Sequence, residues 1–167
     1  MAEVILSSQL AARAIPAQVA SAGLLPGGLA LPPETRAALE SLGPAPGLET
    51  FVSQQLQLAD VRSADLVLGL AREHVREIVV RAPDAWDHSF TLKELIRRGE
   101  AVGPRHLDEA LPAWLSRAAK DRSRNDLLGS SDADDVLDPI GGTPAGFERT
   151  AREIERLCRS LVGLLWP

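Results

Sequence analysis

The chain has 167 residues, a net charge of -5 and a pI near 5.2, with 45% hydrophobic and 25% charged residues. That length suits one domain over residues 1–167 with a proper core, and the composition is globular rather than disordered. The acidic balance speaks against general nucleic-acid binding, which favours a basic face. The only cysteine is Cys158, which excludes a disulfide within the chain and a cysteine-rich zinc site, and fits a reducing cytoplasm. The first 14 residues, MAEVILSSQLAARA, place an acid where a signal peptide needs positive charge. No apolar run approaches the roughly 20 residues of a membrane span.

In chain order, Ile5, Leu6, Leu10 and Ala14 recur at near-helical spacing, so residues 1–14 are expected to be a helix ended by Pro16. Residues 18–22 are expected to be a short strand closed by Gly23, and the Gly/Pro run 23–33 a loop. Pro33 opens a second helix that Gly43 closes, and a loop over 43–50 follows. A short helix is expected near 57–64. The apolar run 66–70, between Asp65 and Arg72, is short enough for a buried parallel strand. Further on come a helix over 72–82, a strand around 86–90, a helix from Thr91 to Arg98 and an amphipathic helix over 107–120. An Asp-rich loop over 121–137 precedes a long helix over 144–165. Strands alternating with helices predict an α/β domain with a parallel sheet.

Five stretches, in order, resemble the low-molecular-weight protein-tyrosine phosphatases. Met1-Ala2-Glu3 is similar to the start of that family's first helix, and Ser21-Ala22-Gly23 to the turn after its second strand. Ala64 to Leu68, followed by Arg72-Glu73-His74, resembles its third strand and the next helix. Phe90 to Leu95 resembles the exit of its fourth strand, and Asp138-Pro139-Ile140-Gly141-Gly142 its Asp-Pro loop. The resemblance implies a three-layer α/β sandwich around a small parallel sheet of order 2-1-3-4, strand 1 being missing from this chain. It implies phosphomonoester hydrolysis through a cysteinyl-phosphate, a phosphotyrosine protein or other phosphomonoester as partner, and neither cofactor nor metal.

That chemistry needs a thiolate nucleophile, an arginine and backbone amides around the phosphoryl group, and an acid for the leaving group. By resemblance Asp138 is the general acid, and Ile140 stands at the pocket edge where relatives often carry an aromatic residue. The nucleophile and phosphate clamp are absent from the 167 residues: the residue six places after Cys158 is Leu164, not arginine. Losing an inner strand with its loop would expose ladder groups, so a start codon assigned too late is the simplest expectation. A non-catalytic binding or regulatory module on the same scaffold is the alternative. An arsenate reductase needs several cysteines and ranks behind both.

Other residues have plainer readings. Asp132, Asp134, Asp135 and Asp138 lack the glycine and glutamate positions of a calcium loop and read as a solvated acidic loop. Arg97, Arg98 and Arg105 read as a solvated basic edge, His74 as a surface helix residue, and Trp86, Trp114 and Trp166 as core or interface anchors. The skew of 16 Arg to 2 Lys reads as base composition.

Overall fold

The computed structural model describes residues 1–44 and 48–167, so the loop expected over 43–50 lies partly outside the described residues. The chain forms two compact units, residues 1–56 with 137–159 and residues 57–136 with 160–167.

In the first unit, α1 (Ala2–Ala12) buries Ile5 and Leu10. It stops where Ala14 turns to a positive φ of 53°, two residues before Pro16. Helix α2 (Pro33–Glu40) starts on a proline in its first turn, where the missing N–H has no helical partner to lose. Ala38 of α2 packs on Phe147 and Ala151 of α7 (Pro144–Leu165), with Met1 and Leu42 at the edge. Gln9 Nε2 donates to the Glu155 carbonyl at 3.0 Å, tying α1 to α7.

The strand expected over 18–22 does not form. Gly23 makes one parallel bridge to Gln55, Ala30 makes one antiparallel bridge to Val52, and the intervening backbone is mostly exposed. A strand needs a partner along its length, and among the described residues none runs beside residues 18–22. Gly27 lies against this crossing: a Cβ there would sit 2.5 Å from the Ser53 carbonyl oxygen.

The second unit holds the sheet, a parallel pair of β1 (Val67–Gly69) and β2 (Ser89–Thr91) in register Val67 to Ser89 and Gly69 to Thr91. This is the small parallel sheet of a mixed α/β fold. Around it are α3 (Leu58–Ser63), α4 (Arg72–Arg81), α5 (Leu92–Val102), α6 (Leu111–Ala118) and the last turns of α7. Phe90 on β2 is fully buried, which contributes about 2–3 kcal/mol. The strand expected at 86–90 begins later, because a 3-10 turn occupies Pro83–His88. Thr91 then ends β2 and caps α5, its Oγ1 accepting from the Glu94 amide at 3.1 Å. Helix α6 is shorter than the expected 107–120: Pro112 fixes its first turn, and residues 107–110 form a turn in which the His106 amide donates to Glu109. Trp114 is fully buried, as expected of an anchor, with its Nε1 donating to the Gly103 carbonyl at 2.9 Å.

Candidate functional site

Asp138 sits in the turn ahead of α7, in the first unit. Its Oδ1 accepts from the Ile140 amide at 3.0 Å, an Asx-type closure of the Asp-Pro turn. The Gly142 amide donates to the Pro139 carbonyl at 2.9 Å, and Gly141 takes a φ of +79°, a region where a side chain would strain. So the turn brings the two expected site residues together, with Asp138 exposed and Ile140 73% exposed. Among the described residues Asp138 makes no other hydrogen bond, so its Oδ2 is open to a reacting group.

Two threonines that sequence reasoning passed over hold this turn on the helix. Thr143 caps α7, its Oγ1 3.3 Å from the Gly146 amide and its carbonyl accepting from the Gly146 and Phe147 amides. Thr150 is buried, and its Oγ1 donates to the carbonyl of Leu137 at 3.2 Å. Thr143 before Pro144 was a readable N-cap signal. Thr150 gave none, since its bond reaches back 13 residues.

Cys158 lies on the inner side of α7 and is buried. Burial pushes its thiol up to about 12, only slightly offset by the positive charge of the chain's amino terminus. A thiol held protonated in a helix interior is neither a nucleophile nor a ligand.

The acidic loop is only partly solvated, against expectation. In the second unit Asp134 is buried and accepts from Arg72 Nη2 at 2.7 Å and from Arg97 Nη1 at 2.6 Å. Burial pushes its carboxyl up, but the hydrogen bonds and charges of Arg97 and Arg72 outweigh this and leave it below the ordinary 3.8. Asp135 accepts from the Arg72 amide at 2.7 Å and from the Ser131 amide at 2.8 Å. The expected basic edge is engaged rather than free: Arg97 is exposed but holds Asp134, and Arg98 and Arg105 are half-buried. Arg98 pairs with Glu94 at 3.0 Å, and Arg105 donates to the carbonyls of Leu165 and Glu109. A polar cleft of about 280 Å³ lies here, with Arg72, Arg97 and Arg98 facing Glu94, Asp126 and Asp134. Its charges cancel among themselves, so it selects no anion. Among the described residues no group of three or more His, Cys, Asp or Glu side chains could hold a metal ion.

The sequence profile described as low molecular weight phosphotyrosine protein phosphatase matches residues 1–110. The chain belongs to that family. The match ends before Asp138, so the Asp-Pro turn rests on the geometry above. Solved structures agree across the chain. A YwlE arginine phosphatase variant with a phosphorylated active-site serine shares 26% identity at a TM-score of 0.70, over 98% of this chain and 84% of that one. A YwlE mutant from Bacillus subtilis shares 26% at 0.68, over 97% and 86%. A low molecular weight protein tyrosine phosphatase from T. tengcongensis has the same fold at 24% identity and 0.71, over 98% and 88%. No curated protein matched. No helix among the described residues is long and apolar enough to cross a membrane.

Proposed function

We propose that this phosphatase-family chain carries the scaffold and proton donor of a hydrolase working through a cysteinyl-phosphate, its nucleophilic loop supplied by residues ahead of Met1. The observation that supports this most is the contrast between its two candidate groups. Asp138 stands exposed with a free oxygen, whereas the one thiol within the 167 residues, Cys158, is sealed and protonated. In the reaction a thiolate attacks phosphorus and the bond to the leaving atom breaks, an oxygen in a phosphoester or a nitrogen in phosphoarginine, that atom taking the proton of Asp138. Water then attacks the thiophosphate while the Asp138 carboxylate accepts its proton, which releases phosphate and restores the thiolate. The substrate is a phosphorylated protein side chain. Ile140 offers an exposed aliphatic edge rather than a ring to stack on, so phosphotyrosine is not singled out. The similar structures include arginine phosphatases, which makes phosphoarginine a substrate to test. The compartment is the cytoplasm.

The sealed Cys158 also favours a second reading, a non-catalytic module that keeps the fold for binding. The two separate on one comparison. The 167-residue chain and a version extended through the in-frame upstream codons are assayed on p-nitrophenyl phosphate, a phosphotyrosine peptide and a phosphoarginine peptide. Turnover by the extended chain alone, reduced about 100-fold or more by Asp138→Asn, supports the hydrolase. An upstream in-frame stop codon, or an inert extended chain that melts cooperatively, supports the module. Turnover by the 167-residue chain itself sinks both.

A further inference from the structure

Helix α7 carries Arg149, Arg152, Arg156 and Arg159, all exposed. At about 100° per residue these four fall within an arc of about 80°, and they span about 15 Å along the axis. Between residues 145 and 159 the only other residue in that arc is Ala145. Glu148, Glu153 and Glu155 lie on its flanks. The opposite side of the same turns, with Phe147, Ala151, Ile154 and Cys158, is buried, so the arginines cannot turn inward. Arg159 pairs with Glu155 at 2.8 Å. Among the described residues Arg149, Arg152 and Arg156 make no ion pair or hydrogen bond, while Arg72, Arg97, Arg98, Arg117 and Arg122 are each bound to a carboxylate.

Like charges three and four residues apart destabilise a helix, so the stripe is a cost that a counter-charge would relieve. We propose that this face docks a short acidic segment of a partner protein, whose carboxylates take bidentate contacts from the guanidinium forks. Charge complementarity sets the size of the occupant. A short acidic segment held within a Debye length, about 8 Å, feels the stripe, whereas a long polyanion also feels the net charge of -5. The arc carries no aromatic side chain on which bases could stack and no apolar flank that could enter a bilayer. About five extended residues cover its length.

The test uses the full chain and a fluorescein-labelled peptide of eight glutamates, followed by fluorescence anisotropy at about 50 mM and 300 mM salt. Binding is expected at low salt and lost at high salt. The triple variant Arg149→Gln, Arg152→Gln, Arg156→Gln should weaken it about tenfold. Arg152→Gln alone should weaken it about twofold, and the pair Arg62→Gln, Arg81→Gln, also exposed but elsewhere, should leave it within twofold. The triple variant removes repulsion and should melt no lower than the parent, which shows that it is folded. No binding at low salt, equal losses in the triple and the control, or tighter binding to phosphatidylserine vesicles or oligo-dT each overturns the proposal.

Discussion

Arg122 Nε donates to Glu94 Oε1 at 2.7 Å, with 1% and 5% of the two side chains exposed. The same guanidinium lies 3.8 Å from the centroid of Trp86 and 4.0 Å from that of Phe90, and it donates to the carbonyls of Trp86 and Ser89. One side chain thus joins the start of β2, the start of α5 and the 3-10 turn between α4 and β2. Replacing Arg122 by Met should lower stability by about 3–5 kcal/mol, because Glu94 keeps only Arg98 and two carbonyls lose their donor. The pair Arg122→Met, Glu94→Leu should recover much of the loss, since no buried charge is then left alone. Urea unfolding of parent, single and double variants checks both; a double variant as unstable as the single contradicts the account.

Asp134 poses the same question at a site with a pH signature. Its carboxyl sits below the ordinary 3.8 in the folded chain, so the native state favours the ionised form. Stability from this group is therefore present above its unfolded pKa and is lost as pH falls through the lower folded value. Asp134→Asn should cost about 2 kcal/mol near neutral pH, because both Arg72 and Arg97 lose a charged acceptor. Below about pH 3 the gap between parent and variant should narrow. Denaturant midpoints taken from pH 7 down to 2.5 measure it, and a gap independent of pH would remove the ionic explanation.

The contrast between these pairs and the elements around them shows what was readable in advance. The apolar run 66–70 suited a parallel strand better than a helix at that length, and β1 lies within it, with Gly69 buried and Val67 and Leu68 half-buried. The bounds of α7 were readable too, from Pro144 at one end and the apolar periodicity up to Leu165. The ion pairs were not, since Arg72 and Asp134 are 62 residues apart and nothing local marks them as partners. Residues 18–22 failed for the complementary reason. Their local pattern permits a strand, but pairing is a property of the neighbour, and only Gly23 and Ala30 find one. The Asp138 turn was legible because its hydrogen bonds close within the motif itself.

Gly99 on α5 is a place where helix propensity and packing oppose each other. Alanine is worth about 1 kcal/mol more than glycine in a helix interior. Yet a Cβ at Gly99 would come within 2.9 Å of two Trp114 ring atoms and 3.0 Å of Leu164 Cδ1. The indole is fully buried and pinned through Nε1 to Gly103, so it cannot swing aside. Packing should win: Gly99→Ala is expected to destabilise by about 1–3 kcal/mol. Thermal melts with tryptophan fluorescence would reveal both the loss and the displaced ring, and a stabilised variant would mean that the indole has room.

Cys158 supplies a test at alkaline pH. Burial raises its thiol to about 12 from the ordinary 9.0, so the folded chain favours the protonated form. Its contribution is fully present below pH 9 and is lost as pH rises toward 12, because the unfolded thiol ionises first. Between pH 9 and 11 the parent should therefore lose stability faster than Cys158→Ala, by about 1.4 kcal/mol per pH unit. Below pH 9 the two curves should run parallel, with the alanine variant lower by the cavity it leaves. The same burial predicts that a thiol reagent modifies Cys158 at the rate of unfolding or local opening rather than at the rate of a free thiol. Fast labelling of the native chain, with parallel stability curves above pH 9, would show the thiol to be accessible and would reopen it as a reacting group.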